Sequence, residues 1–203
     1  MVDQAIPDRI GIWEQSSGHK QEDFLVKATQ KGDVLAFNRL VLKWEKTVFN
    51  IALRMLQERE EAAEATQEIF FQAYRNINRF RRASRFSTWI YRIALNHCIT
   101  RIRQKPPGIH LSLDEGNSEG SLQKQLQATE NQLDGLMRSE ERDRVLEALA
   151  HLSPEQRATV ELKFFQGMTF EDIACVLEIP LSTIKSRLYA GLEILKVHLA
   201  EKI

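Results

Sequence analysis

The sequence predicts an all-α chain of two small helical domains joined by a flexible linker, the second domain containing a helix-turn-helix. Three observations predict it. Apolar residues recur at i, i+3, i+4 and i+7 over most of the 203 residues, and no segment shows the period-two alternation of a half-buried strand. Lys105-Pro106-Pro107-Gly108 ends the first helical block sharply, because proline lacks an amide donor and glycine terminates helices. Residues 106–135 are then rich in Ser, Gly, Gln, Asn and acid, with too few large apolar groups to fix a packed structure.

Residues 1–20 form an N-terminal extension, Trp13 included, that fits no pattern. The first domain runs over 21–105. Gly32 stops one helix and Asp33 caps the next. Phe37, Leu40, Val41, Trp44, Val48, Ile51, Ala52 and Met55 then form a core-facing stripe over five turns. A second helix is expected over about 60–77, with Ala62, Ala65, Ile69 and Ala73 on one face and Glu61, Glu64 and Glu68 on another. A third is expected over about 87–104. The linker occupies 106–136 and the second domain 137–203. In that domain Val145, Leu146, Leu149 and Leu152 make a first apolar face. Ser153-Pro154-Glu155-Gln156 is a helix start with a cap, a proline at the first helical position and a Gln three residues after the cap. Gly167 ends that helix, and Thr169 to Asp172 repeats the capping logic. After a break at Glu178-Ile179-Pro180, Ser182 caps or begins a last helix with Ile184, Leu188, Leu192, Leu195 and Leu199 on one side.

Formal net charge is zero, with 28 Lys+Arg against 28 Asp+Glu, which argues against a polyanion partner only if the charge is evenly spread. It is not. Residues 20–105 hold 17 basic and 9 acidic groups, and residues 69–113 contain no Asp or Glu at all. The N-terminal extension, the linker and the second domain carry the balancing acid. Such polarity points to a nucleic-acid partner more strongly than the total does.

Three motifs follow. In the helix-turn-helix, Phe170, Ile173, Ala174 and Leu177 pack the first helix, and the second would enter the major groove with its leading residues at base edges. Ser182 and Thr183 sit where free amides favour phosphate. Lys185, Ser186, Arg187 and Tyr189 are placed to read bases or hold the backbone. In the acid-free segment, Phe80, Arg81, Arg82, Ser84, Arg85, Phe86, Ser87, Thr88, Trp89 and Arg92 interleave aromatic planes with cations, which suits unstacked bases of a single strand. Packing of Phe80, Phe86 and Trp89 in the core with solvated arginines is an equal alternative. Arg92, Asn96 and Arg103 fall on one helical stripe that could face a duplex. Third, Glu61, Glu64, Gln67 and Glu68 beside Phe71 form either a solvated acidic face or a docking surface for a basic partner.

These strings carry a family resemblance. Ala65-Thr-Gln-Glu-Ile-Phe resembles the core-polymerase-binding helix of bacterial RNA polymerase sigma factors. Phe86-Ser-Thr-Trp-Ile-Tyr-Arg-Ile-Ala-Leu-Asn96 is similar to their melting and −10-recognition segment. Leu152-Ser-Pro-Glu-Gln-Arg and Gly167 through Leu188 are similar to their −35-binding domain. The absence of a middle domain within 106–135 points to the extracytoplasmic-function (ECF) group. The resemblance implies a protein that binds core RNA polymerase through Glu61, Glu64, Gln67, Glu68 and Phe71. It implies single-stranded −10 contacts and melting by Arg81, Arg82, Ser84, Arg85, Phe86, Ser87, Thr88, Trp89, Arg92, Asn96 and Arg103, with a flipped base held at Arg81–Ser87. It implies double-stranded −35 contacts by Ser182, Thr183, Lys185, Ser186, Arg187 and Tyr189. An anti-sigma factor is a further expected partner.

The alternative of another class is an autonomous helix-turn-helix repressor or activator, which would not need the aromatic, acid-free segment. Catalysis, a cofactor and a metal are not expected: the five histidines are scattered, no Cys-x-x-Cys or His-Glu-x-x-His exists, and no glycine-rich phosphate loop occurs. His97 and Cys98 are adjacent, so on a helix they diverge by about 100° and make a poor thiol–base pair. Two cysteines and no apolar run of about 20 residues fit a cytoplasmic protein without membrane insertion.

Overall fold

The computed structural model describes the backbone of residues 12–80, 85–105 and 132–200, and side chains within them from 20, 85 and 141 onward. The first region holds α1 (Ile12–Gln30), α2 (Val34–Leu56), α3 (Arg59–Asn76), a 3-10 turn (Ile77–Arg79) and α4 (Phe86–Gln104). The second holds α5 (Gln132–Ala150), α6 (Pro154–Val160), a π-helical turn (Glu161–Phe165), α7 (Phe170–Leu177) and α8 (Leu181–Ala200). No strand occurs among the described residues. Arg81, Arg82 and Ser84 lie outside them, as do the extension up to residue 11 and the linker up to 131.

The caps read from the sequence form as expected. Gly32 takes φ +96°, and the Asp33 carboxylate accepts the Ala36 amide at 3.1 Å. Ser153 and Gln156 close a capping box, as do Thr169 and Asp172. Gly167 turns with φ +64°. Glu58 is an unexpected cap: its carboxylate accepts the amides of Glu60 and Glu61 at 2.7 and 2.6 Å, placing negative charge at the positive end of α3. The last helix corrects the sequence reading of Ser182. It begins at Leu181, and Pro180 supplies the first carbonyl, to the Ile184 amide at 3.1 Å.

The predicted α2 stripe is the spine of the core. Phe37, Leu40, Val48, Ile51, Ala52 and Met55 are buried, with Val41 and Trp44 packed at the edge. Ala62, Ala65 and Ala73 bring α3 close to α2, since small side chains let helix backbones approach, and Ile69 fills the space between them. From α4 come Ile90, Ala94, Leu95 and Cys98. Phe80, Phe86 and Trp89 pack in tilted and edge-to-face contacts with ring centroids 5.2–6.1 Å apart, and Trp44 meets Phe86 and Tyr91. Phe80 and Phe86 are buried in this cluster, and Trp89 is half-buried at its edge. The second region has its own cluster of Leu149, Leu152, Val160 and Leu188, with Val145, Leu192 and Leu195 against it. Leu199, expected on that face, is exposed in the last turn of α8.

The two regions are not separate bodies. Ala158, Leu162, Ile173, Val176 and Ile184 join the core of the first region. Glu161, 1% exposed, receives two hydrogen bonds from Arg54 of α2, at 2.5 and 2.8 Å. Arg157, also buried, donates to the Met55 carbonyl across the junction and to those of Ala150 and Leu152 at 3.0 and 3.3 Å. Burial pulls the Arg157 pKa down to about 10, which still leaves it charged at neutral pH. The Tyr91 hydroxyl donates to Gln166 Oε1 at 3.0 Å, and its pKa is pushed up to about 12 by burial first and then by the charges of Glu161 and Glu22.

Candidate nucleic-acid interface

The helix-turn-helix is built from α7, the turn at 178–180 and α8. Thr169 Oγ1 accepts the Asp172 amide at 3.1 Å, and Asp172 Oδ2 accepts the Thr169 amide at 3.3 Å, fixing the entry of α7. The helix ends at Glu178, whose φ of +55° turns the chain while its amide still bonds the Ala174 carbonyl at 2.9 Å. Ile173, Val176, Ile184 and Leu188 are buried, so the opposite side of α8 faces out. Ser182, Lys185, Ser186 and Tyr189 are exposed there, and Thr183 and Arg187 are half-buried. Ser186 Oγ donates to the Thr183 carbonyl at 3.0 Å, and Lys185 Nζ lies 5.8 Å from the Phe170 ring centroid. All six residues predicted for duplex contact are therefore brought onto one helix, beside its open amino end.

The α4 residues stand differently. Arg85 is exposed just before the helix, Ser87, Thr88 and Trp89 are half-buried, and Phe86 is buried. Of the stripe Arg92, Asn96 and Arg103, Asn96 and Arg103 are exposed and Arg92 is half-buried. Arg92 instead donates through Nε to the Val176 carbonyl at 3.1 Å and through Nη2 to the Cys175 carbonyl at 2.5 Å, and pairs with Glu178 at 2.7 Å. Arg103 pairs with Glu155 at 2.5 Å. Burial works to raise the Glu155 pKa, but the Arg103 hydrogen bond and the charges of Arg103 and Arg187 outweigh it, and the net shift is downward. Arg92 and Asn96 also line a cleft of about 610 Å³ with Glu68, Gln72 and His97.

On α3, Glu64, Gln67, Glu68 and Phe71 are exposed together, Phe71 at 63% with the Arg75 guanidinium 5.6 Å from its ring. The carboxylates are tethered to α4: Glu64 to Arg101 at 2.5 Å, Glu68 to His97 at 3.1 Å, and half-buried Glu61 to Lys105 at 2.6 Å. Burial lowers the His97 pKa, with Glu68 opposing. Sequence reasoning missed Arg101, Lys105 and His97 as positioning groups for the acidic face, and Arg54, Arg157 and Glu161 at the junction. Their partners lie 37 to 107 residues away for the ion pairs with Glu64 and Arg54, and no local signal marks such contacts.

A helix-turn-helix whose last helix carries Lys185 and Arg187, an acidic helix edged by Phe71 and a basic, aromatic helix on one all-α chain have the features of a transcription factor of the sigma-70 type, and the family matches place it there. The family model for sigma-70 region 2 matches residues 40–106, and that for sigma-70 region 4 matches 142–195. The RNA polymerase sigma-H factor of Pseudomonas aeruginosa is 33% identical over 178 residues, covering 86% of this chain and 91% of that protein. The ECF sigma factor SigW of Bacillus subtilis is 32% identical, covering 87% and 95%. The ECF sigma-E factor of Escherichia coli is 32% identical, covering 85% and 91%. Among solved structures, CnrH in complex with the cytosolic domain of CnrY superposes with a TM-score of 0.66 at 18% identity, over 90% of this chain and 99% of that one. RpoE in complex with the anti-sigma factor NepR from Bartonella quintana gives 0.61 at 19%, over 82% and 98%. The chain belongs to the ECF group of RNA polymerase sigma factors, which direct the polymerase to promoters. Among the described residues, no helix is long and apolar enough to cross a membrane.

Proposed function

We propose that the three surfaces divide the work of promoter opening as follows. Residues 21–105 form a region 2 domain in which Glu64, Gln67, Glu68 and Phe71 of α3 dock on a basic surface of core polymerase, with Glu61 at the margin. Arg81, Arg82, Ser84, Arg85 and Ser87 together with Thr88, Trp89, Arg92, Asn96 and Arg103 hold the separated −10 strand, whereas Phe86, 2% exposed, packs in the core. Extracting a base costs a few kcal/mol of unstacking, which aromatic and phosphate contacts offset. Residues 137–203 form a region 4 domain in which α8 reads −35 duplex, Ser182 and Thr183 on phosphate and Lys185, Ser186, Arg187 and Tyr189 toward bases. Residues 106–136 act as the linker between them. A cytoplasmic site of action follows from the partner. CnrH is seen in complex with the cytosolic domain of CnrY and RpoE in complex with the anti-sigma factor NepR, and an anti-sigma partner is proposed for this chain by analogy with the second.

The observation that carries the reading is the outward presentation of Ser182, Lys185, Ser186 and Tyr189 on α8, with Thr183 and Arg187 half-buried at the flank, while Ile184 and Leu188 anchor its inner side. Arg187→Ala tests it by transcription on matched templates with intact and scrambled −35 elements. A base contact loses about 1–3 kcal/mol on the intact element only. Equal loss on both templates makes Arg187 a phosphate or folding residue and removes it from the reading set.

A further inference from the structure

The acid-free stretch of residues 69–113 does not turn all of its cations the same way. His97, Arg101 and Lys105 recur every four residues along α4 to its end. At 100° per residue this stripe lies about 150° around the helix from that of Arg92, Asn96 and Arg103. On α3, Glu68, Glu64 and Glu61 recur every three or four residues. The two stripes meet in antiparallel order. His97 Nε2 lies 3.1 Å from Glu68, Arg101 Nη2 2.5 Å from Glu64, and Lys105 Nζ 2.6 Å from Glu61. Arg101 also reaches the neighbouring rung, with Nη1 3.6 Å from Glu68. The cations lie underneath and the acids on top. The side chains of His97 and Arg101 are 19% and 25% exposed, those of Glu68 and Glu64 58% and 66%. The Glu64 hydrogen bond raises the Arg101 pKa, burial opposes it, and the charges of Glu68, Glu64 and Glu61 add to the rise.

Without that support the acids would work against one another. Glu61, Glu64 and Glu68 stand on one face of α3 at spacings where like charges repel. Ordering a long, exposed side chain when a partner binds costs free energy, and a side chain already held costs less. A guanidinium suits the place because its planar fork carries two nitrogens that can hold two carboxylates at once, whereas an ammonium is a single point charge. Basic groups of a polymerase arriving from solvent meet the exposed carboxylate edges, with Arg101 behind them. We infer that Arg101 is a positioning residue for polymerase docking: it brackets Glu64 and Glu68 from beneath, fixes their separation, and is withheld from the −10 strand. The inference rests on the proposed docking role of α3. Lys105 holds Glu61 at the margin in the same way. One helix then serves two surfaces, and part of the positive charge of residues 69–113 supports a protein interface rather than a nucleic-acid one.

The test titrates core polymerase into the full chain, labelled at Lys196→Cys in a Cys175→Ser background. Arg101→Lys is the informative change, because it keeps the net charge and removes the fork. It should weaken core binding about threefold to fivefold, the scale of one solvent-screened ion pair, with helix content unchanged. In a chain that also carries Glu64→Gln and Glu68→Gln it should cost nothing further, since the groups it positions are gone. A merely structural Arg101 would cost the same in both backgrounds. Binding of the full chain to a labelled mixed-sequence DNA single strand supplies the other arm. Its log–log salt slope should be the same for Arg101→Gln as for the parent, whereas a phosphate contact by Arg101 would make the variant's slope shallower by about 0.7. Unchanged core affinity for Arg101→Lys, an equal loss in both backgrounds, loss of helix content, or the shallower slope each overturns the inference. Glu64→Gln with Glu68→Gln alone separates the two levels. If that pair leaves core affinity unchanged, the docking role of α3 fails and the inference with it; a loss there with none for Arg101→Lys removes Arg101 alone.

Discussion

Replacing Arg157 with alanine measures what its three buried hydrogen bonds, one of them across the junction between the two regions, contribute to stability. The side chain is 7% exposed and donates to three backbone carbonyls, those of Met55, Ala150 and Leu152. A hydrogen bond from a charged donor contributes about 1.5–3 kcal/mol, so the three together supply about 4–9 kcal/mol. Against this stands the cost of burying the guanidinium. Its pKa falls from 12.5 to about 10, and at about 1.4 kcal/mol per unit that is about 3 kcal/mol. The net loss on truncation is therefore about 3 kcal/mol, with three carbonyls left unbonded where water enters poorly. Urea unfolding followed by far-UV circular dichroism, at fixed pH and salt, gives the number. Arg157→Met keeps the stem's packing but not the bonds, and should fall between parent and alanine. A loss under about 1 kcal/mol for the alanine variant would refute the reasoning, because the three carbonyls would then be satisfied some other way.

Three further outcomes are expected. Gln67→Ala with Glu68→Lys should weaken binding to core polymerase and leave helix content unchanged; unaltered affinity in a core-binding assay counts against the docking face. Of the two thiols, exposed Cys175 should react with an aromatic disulfide reagent in the native protein, while Cys98, fully buried and pushed up to about 12 chiefly by burial, should react only after unfolding; equal rates would contradict the packing of α4. Tyr91 is an acid whose pKa is raised on folding from 10.0 to about 12, so the folded state holds its proton longer and stability falls as pH rises through that interval; Tyr91→Phe should remove that component of an alkaline denaturation profile, and an unchanged profile would dismiss it.

Much of the fold was legible because its signals are local. The α2 stripe from Phe37 to Met55 obeys a single period, and Asp33, Ser153 and Thr169 are caps whose partners lie three residues away. Most boundaries in the first region shifted by about one residue, as where α4 begins at Phe86 and not Ser87, but α5 begins at Gln132, inside the expected linker, and α1 at Ile12, inside the expected extension. The π-helical turn at Glu161–Phe165 had no such signal: it places Glu161 toward Arg54, a partner 107 residues distant, and is set by tertiary packing. Site residues divided in the same way. Ile184 and Leu188 fix by periodicity which side of α8 is free, so Lys185 and Tyr189 could be named in advance. The stripe of Arg92 and Arg103 was equally visible, but periodicity says only that two groups share a face. Whether that face meets DNA or the end of α7 depends on how the two regions dock, which no spacing within α4 encodes.

The central claim is that this chain confers promoter recognition on RNA polymerase without acting alone on duplex DNA. Run-off transcription with sigma-free core polymerase on a promoter library tests it most directly. Promoter-dependent transcripts that require both the protein and core, together with weak duplex binding by the protein alone, are the predicted result. Tight, site-specific duplex binding by the isolated protein with no promoter-dependent transcript would contradict the account and return the helix-turn-helix to the role of an autonomous repressor or activator.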